Sequence, residues 1–118
     1  MERAYLVRRV TAYRLCEIMR KNQFDGSEAR AVEGVMDCDL LFIDDLGTEP
    51  QTKNTSGYLF QVINERNMND RHTIISTNLT PGELARRYTP QIASRIEGEY
   101  TLLPFAGEDI RKLKKERA

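Results

Sequence analysis

The stretch LLFIDDLG, residues 40–47, places four apolar residues directly before two adjacent aspartates. A continuous apolar run of this length is typical of a strand that is covered on both faces within a parallel sheet. Two neighbouring carboxylates at the end of such a strand repel each other, and one tends to stay protonated unless something holds the charge. The stretch therefore predicts a buried strand that ends in two carboxylates, Asp44 and Asp45. Their position suggests that they bind a group that stabilises their charge.

Length and charge limit the class of protein. The chain has 118 residues, which suits a single domain with one core. Its net charge is zero, but residues 31–50 carry six acidic side chains and no basic one. This acidic block has two interpretations, a solvated helix followed by a turn or a cation site that faces basic flanks, and net charge does not choose between them.

Cysteine content and hydropathy exclude other classes. Cys16 and Cys38 are not in a CxxC pattern and His72 is the only histidine, so we expect two reduced cysteines and no zinc site. No apolar run approaches the roughly 18–20 residues of a membrane span. No signal-peptide pattern opens the chain. These features predict a cytoplasmic protein without a membrane partner.

Strand and helix patterns alternate along the chain. Helical patterns appear in the segments 11–22, 27–37, 54–70 and 89–98, and a further helix is predicted to start at 80–83. Short apolar runs that resemble strands lie at 4–10, 39–46, 72–79 and 100–105. This order predicts βαβ units, and therefore an α/β fold with a parallel sheet and helices on both sides. Ligands of such sheets bind at the carboxyl ends of strands, so we expect the ends of the second and third strands to be neighbours.

Capping residues mark the helix boundaries. Thr11 is placed to cap the first helix, and TPGE at 80–83 is a capping box with proline at the first helical position. Gly98 predicts the end of the last helix. Arg86 and Arg87 are expected to form a solvated helix face.

The two polar strand ends suit a metal and a phosphate. Asp44 and Asp45 end one strand, and Ser76, Thr77 and Asn78 end the next. Magnesium takes hard oxygen ligands, commonly one or two carboxylates, and keeps several waters. On this interpretation Asp44 holds the metal, Asp45 polarises a water molecule and Asn78 positions it. The alternative is a polar strand end that arises by chance, with Asn78 as a turn residue.

Four motifs in order make the chain resemble a known family. LLFIDDLGTEP, IISTNLTPGEL, RYTPQIASRI and LLPFAGEDIRK together resemble the ATPase domain of DnaC/DnaI-type replicative helicase loaders. The closely similar IstB-type transposition helper ATPases share these motifs, and both groups belong to the AAA+ class. The resemblance covers essentially the whole chain. It implies a P-loop NTPase fold of AAA+ type, ATP and Mg²⁺ as ligands, self-association through the AAA+ interface, and a replicative helicase or a transposase as partner.

The resemblance also implies roles for five residues. Asp44 is in the magnesium-associated position of a Walker B strand, and Asp45 is in the catalytic position that many AAA+ proteins fill with glutamate. Asn78 matches the sensor-one position. Arg95 matches the arginine finger that reaches the nucleotide of a neighbouring subunit, although an arginine on a helix is more commonly a surface or salt-bridging residue. Arg111 is a candidate sensor-two or lid arginine.

One motif of the family is missing from these 118 residues. None of the seven glycines begins the pattern G-x-x-x-x-G-K-[S/T], whose backbone amides and lysine would cradle the phosphates. We therefore expect residues 1–118 to be the C-terminal part of a single AAA+ ATPase domain that lacks its N-terminal Walker A unit. Such a fragment is expected to be inactive by itself. The alternative from a different class is a non-catalytic assembly module that keeps the fold.

The first two helical segments are candidates for contact with single-stranded DNA. In the initiator and loader branch of the resemblance, the region between the first strand and the Walker B strand can line the path of the DNA. Basic side chains there would contact the backbone and aromatic side chains would stack on bases. The candidates are Arg14, Arg20, Lys21, Tyr13 and Phe24. Phe24 lies beside the turn at Asp25-Gly26. An equally good interpretation is that it is a packing anchor, with its side chain packed against the rest of the protein.

Overall fold

The computed structural model describes residues 4–52 and 54–100. The predicted strand at 100–105, apart from its first residue, and Arg111 lie outside the described residues. Strands and helices alternate as the sequence predicts. In chain order they are β1 (Val7–Thr11), α1 (Ala12–Asp25), α2 (Ala29–Asp37), β2 (Leu40–Leu46), α3 (Thr55–Met68), β3 (His72–Thr77), α4 (Pro81–Arg87) and α5 (Pro90–Glu99).

The three described strands form one parallel sheet in the order β1-β2-β3. Val10 pairs with Ile43, and Phe42 pairs with Ile74. Because all three strands run in the same direction, their carboxyl ends meet at one edge of the sheet. The predicted α/β fold, a parallel sheet with flanking helices, is confirmed.

The core lies on one face of the sheet. Leu41 and Ile43 of β2 are fully buried there, together with Leu15 of α1 and Leu59 of α3. The opposite face carries Phe42 and Ile74, and Ile74 is 47% exposed. The sequence predicts that both faces of the sheet are buried. In the described residues only one face is.

Helix boundaries follow the predicted caps with one exception. Thr11 Oγ1 accepts the N–H of Arg14 at 3.0 Å, and Thr80 forms the predicted capping box with Glu83. The prediction that the last helix ends at Gly98 is wrong, because α5 continues to Glu99 and is capped by Tyr100. An exposed glycine lowers helix stability by roughly 0.5–1 kcal/mol relative to alanine, which does not by itself end a helix.

A buried arginine fixes the amino-terminal edge of the sheet. Arg66 of α3 has no exposed surface. Its Nη1 donates to the carbonyl oxygens of Val35 (2.8 Å) and Cys38 (2.9 Å), and its Nη2 donates to that of His72 (2.7 Å). Its Nε donates to Thr73 Oγ1 at 2.9 Å. One side chain therefore joins the end of α2 to the starts of β2 and β3, the two strands whose other ends carry the predicted site.

Two further observations concern the environment of the chain. Among the helices that the structure describes, none has the length and apolar character that crossing a membrane would require. Cys16 and Cys38 are both buried and free.

Candidate functional site

Strand β2 ends in a β-bulge at the two aspartates. Ile43 pairs with Ile75 and Leu46 pairs with Thr77, so two residues of β2 stand where β3 has one. Asp45 takes a left-handed backbone conformation, with φ of +57°. For a residue with a side chain this costs on the order of 1–3 kcal/mol, and such strain is common at functional sites. The bulge interrupts the alternation of side chains and separates a partly buried Asp44 from an exposed Asp45.

The carboxylate of Asp44 is held on both oxygens. Oδ1 accepts the hydroxyl of Ser76 at 2.5 Å, and Oδ2 accepts Nη2 of Arg9 at 2.5 Å. The hydrogen bond from Ser76, followed by that from Arg9, lowers the pKa of Asp44 below its ordinary value. Asp44 is therefore ionised at neutral pH, which is the state that a metal or its water shell requires.

Asp45 is held through its backbone instead. Its N–H donates to Ser76 Oγ at 3.0 Å, and its carbonyl oxygen accepts the hydroxyl of Thr48 at 2.7 Å. Among the described residues, no group hydrogen-bonds to its carboxylate. The arrangement fixes the position of Asp45 and leaves its side chain accessible to a water molecule.

The segment after β3 lies beside the end of β2. Thr77 Oγ1 donates to the carbonyl oxygen of Leu46 at 2.6 Å. Gly47 has a φ of +108°, and a Cβ there would lie 2.8 Å from Cδ1 of Leu79. Asn78 lies between Thr77 and Leu79 in the sequence. Its side chain is exposed and forms no hydrogen bond within the described part of the chain. Asn78 thus lies at the predicted edge, but the residue of β3 that contacts Asp44 is Ser76.

A buried glutamate joins this edge to the helices that follow. Glu49 has a fully buried side chain whose Oε1 accepts the N–H of Gly47 at 2.8 Å. Its Oε2 accepts the hydroxyl of Tyr88 at 2.5 Å and lies 3.5 Å from Nε of Arg87. Burial, followed by the hydrogen bond to Glu49, raises the pKa of Tyr88. The prediction of a solvated face is therefore wrong for Arg87, which is drawn inward by Glu49, whereas Arg86 is exposed.

Arg95 lies on α5, the helix that follows Tyr88. Its side chain is half-buried, with Cζ 5.9 Å from the centroid of the Phe60 ring. The contact of Tyr88 with Glu49 connects the junction between α4 and α5 to the loop that follows β2. The roles assigned to Asp44, Asp45, Asn78 and Arg95 stay predictions.

The oxygen donors at this edge fit magnesium in kind. Asp44 and Ser76 supply hard oxygen atoms, the ligand type that Mg²⁺ prefers. In the described residues no group of three or more His, Cys, Asp or Glu side chains is placed to hold a metal ion. A magnesium ion here would therefore take its other ligands from water and phosphate, as is usual for Mg²⁺ in nucleotide sites. Direct ligation by Oδ2 of Asp44 requires Arg9 to move away.

The sequence did not predict a contact of Asp44 with Ser76 or with Arg9. Ser76 was available as a polar residue at a strand end. Arg9 becomes recognisable only with the register, because Thr11 pairs with Asp44 and residues two apart on a strand share a face. Without that pairing, Arg9 is one of several arginines in a basic segment.

The DNA-contact candidates on α1 are exposed. Tyr13 is 51% exposed and Phe24 is 86% exposed, so the interpretation of Phe24 as a packing anchor is wrong. Arg20 and Lys21 are also exposed on this helix. The guanidinium of Arg14 already forms an ion pair, because its Nη1 lies 2.6 Å from Oε1 of Glu17.

Solved structures of replication initiators share the fold. The chain aligns over 97% of its length with AMPPCP-bound DnaA from Aquifex aeolicus, at 20% identity and a TM-score of 0.72. A replication initiator DnaA bound to AMPPCP and single-stranded DNA gives 20% identity and a TM-score of 0.74, and a DNA replication initiation factor gives 20% and 0.73. The alignment covers 97% of this chain in each case, but only 36% of each of those chains. This likeness shows the fold, which matches part of a P-loop NTPase of the AAA+ type.

A family comparison adds to the fold. Residues 2–118 match the family model described as IstB-like ATP binding protein. A search of curated proteins gives no match. The IstB-like part of the predicted resemblance is confirmed, while the helicase-loader assignment stays a prediction. Since the match spans nearly the entire chain, this protein belongs to the family of IstB-like ATP-binding proteins.

Proposed function

We propose that this chain supplies the metal- and water-facing side of an ATPase site in an AAA+ protein that acts on DNA. The observation that carries the proposal is the end of β2, where an ionised Asp44 is fixed by Ser76 and Arg9 beside the exposed Asp45. A fixed, charged carboxylate next to an accessible one suits hydrolysis of the terminal phosphoanhydride bond of ATP, which needs a held metal ion and a positioned water molecule. The ATP-binding description of the family supports it.

Each residue has a distinct task in this proposal. Asp44 holds Mg²⁺ or its water shell, and the ion, when bound, neutralises charge on the phosphates. Asp45 accepts a proton from the attacking water, and Asn78 orients that water. Arg95 stabilises the charge that develops on the phosphoryl group bound to a neighbouring subunit. Self-association through the AAA+ interface follows from that last role.

The phosphate-cradling side of the site has to come from elsewhere. The 118 residues contain no G-x-x-x-x-G-K-[S/T] motif. The aligned DnaA chains are much longer, since this chain spans 36% of them. We therefore propose that residues 1–118 form the C-terminal part of a single AAA+ domain, whose Walker A unit belongs to the same complete protein.

Two partners suit such an ATPase. The first is a replicative helicase that the complete protein loads onto DNA, an assignment supported by the four ordered motifs and by the likeness to replication initiators. The second is a transposase, which the IstB-like family match favours. Measuring the binding of the complete protein to each purified partner by sedimentation separates the two.

Single-stranded DNA is a proposed ligand of the exposed face of α1. Tyr13 and Phe24 offer aromatic surfaces, and Arg20 and Lys21 offer positive charge. One of the structurally similar DnaA proteins is bound to single-stranded DNA. Substituting Phe24 by alanine should weaken binding of an oligonucleotide to the complete protein.

A pair of isosteric substitutions in the complete protein tests the ATPase assignment. Asp44→Asn should weaken magnesium-dependent nucleotide binding, because the charge that holds the ion is removed. Asp45→Asn should leave binding intact and abolish hydrolysis, because an amide does not accept the proton of the water. Asp37→Asn, on the exposed surface of α2, is the matched control. Unchanged turnover in both site variants would show that the aspartates are only a polar strand end.

A further inference from the structure

We propose that the cleft between β1, α1 and α2 binds an acidic, extended peptide segment of a partner protein, with Arg8 as the anchor. The cleft lies on the face of β1 opposite to Asp44 and is separate from the ATPase site. Its volume is about 400 Å³. The proposal does not depend on the proposed ATPase activity.

The lining of the cleft combines an aliphatic floor with positive charge. Val10, Ile18, Ala31 and Val35 form the floor, and the arginines at its rim include Arg8 and Arg14. No acidic side chain is among the residues that line it. Arg9 also borders the cleft, but its side chain contacts Asp44 on the opposite face of the sheet. Arg8 therefore supplies the positive charge that an anionic occupant of the cleft would meet.

Arg8 is seated on a glycine. A Cβ at Gly34 of α2 would lie 2.8 Å from Cζ and 2.9 Å from Nε of Arg8, so only glycine lets the guanidinium lie this close to the helix. A helix is less stable with glycine than with alanine at an interior position. The close approach of Arg8 gives a structural reason for glycine at position 34. Arg14 is paired with Glu17 and lies 3.9 Å from Glu28, whereas Arg8 has no hydrogen bond or ion pair with any described residue. The structure thus positions Arg8 and leaves its donors available.

The edge of β1 favours a peptide as the occupant. Among the described strands β1 pairs only with β2, so backbone groups along its outer edge can accept an added strand. A carboxylate on such a strand would form a charge-assisted hydrogen bond with Arg8. Single-stranded DNA needs aromatic stacking surfaces, and no aromatic residue lines the cleft. An acidic strand with aliphatic side chains therefore matches the site better than an oligonucleotide.

A model peptide tests the proposal with the 118-residue chain. The probe is a short, capped peptide of alternating aspartate and valine, and the matched control peptide has asparagine in place of each aspartate. Fluorescence anisotropy should show binding of the aspartate peptide that weakens with added salt. Arg8→Ala should reduce its affinity by about tenfold, the size expected for one charged hydrogen bond. Arg86→Ala, at an exposed position of α4 that does not line the cleft, should have no effect.

Gly34→Ala separates the proposal from a general loss of stability. Alanine favours the helix and displaces only the flexible end of Arg8, so melting temperature should hold or rise while affinity falls by a similar factor. Absence of binding, equal binding of the asparagine peptide, or full affinity in Arg8→Ala would overturn the proposal. So would an oligothymidylate that binds with the same dependence on Arg8 and Gly34, since the cleft would then be a nucleic-acid site.

Discussion

The hydroxyl of Ser76 joins the two strand ends that form the candidate site. It donates to Oδ1 of Asp44 at 2.5 Å and accepts the N–H of Asp45 at 3.0 Å. One small side chain on β3 thus fixes both the carboxylate of Asp44 and the bulge that exposes Asp45. The geometry of β2 at this edge therefore depends on a residue of the neighbouring strand.

Removing that hydroxyl should be visible in the titration of Asp44. The folded-state pKa of Asp44 is lowered, mainly by Ser76, so ionised Asp44 stabilises the fold above the ordinary pKa of an aspartate, about 3.9. This stabilisation is lost as the pH falls through the folded-state pKa. Ser76→Ala should raise the pKa of Asp44 and reduce the acid-dependent loss of stability. Carboxyl NMR titration measures the pKa, and Ser76→Thr, which keeps a hydroxyl, is the control. An unchanged pKa in Ser76→Ala would contradict the account.

Arg66 should be among the residues most sensitive to substitution. Arg66→Met keeps most of the side-chain volume but leaves the carbonyl oxygens of Val35, Cys38 and His72 without this donor. Because a buried unsatisfied group costs about 1–3 kcal/mol, the free energy of unfolding should fall by about 3 kcal/mol or more. Urea unfolding measures the loss. Arg30→Met, at an exposed helix position, should change it by less than about 0.5 kcal/mol, and an equal effect of both substitutions would argue against the role of Arg66.

The 118-residue chain by itself should bind Mg-ATP weakly and should not hydrolyse it. Asp44 offers one carboxylate to the metal, and these residues contain no phosphate-cradling glycine motif. Isothermal titration calorimetry is the measurement. Micromolar affinity would reveal a phosphate site that neither the sequence nor the described structure indicates.

The sheet should also promote self-association of the isolated chain. In the described part, β3 has no strand on its outer side, and Ile74 on this strand is 47% exposed. An open edge with an apolar side chain is a template for pairing with another chain. Light scattering should show oligomers at high concentration, and Ile74→Lys should shift them toward monomer. A clean monomer for the unsubstituted chain would mean that this edge is covered.

The sequence predicted the elements well because their signals are local. The apolar run before Asp44, the Thr11 cap and the capping box at Thr80 each act within a few residues, and each has the predicted structure. Gly98 was misread because a glycine permits a helix end without requiring one.

The contacts of the site could not be predicted in the same way. The pairing of Arg9 with Asp44 depends on the register between two strands, which no local pattern encodes. The inward position of Arg87 depends on Glu49, 38 residues away along the chain. The bulge at Asp45 arises from the mismatch between β2 and β3, and adjacent aspartates in a sequence do not specify it.

We propose that Asp45 and Arg95 act on the same nucleotide from two different subunits. In the complete protein, Asp45→Asn and Arg95→Ala should each bind ATP and each lack hydrolysis, the finger alone contributing roughly a thousandfold or more to turnover. Mixing the two variants under conditions where subunit exchange is independently confirmed is the direct test. Partial recovery of ATPase activity is expected, because some mixed interfaces pair an intact Asp45 with an intact Arg95. No recovery on mixing would contradict it and would place Arg95 within its own subunit or in a structural role.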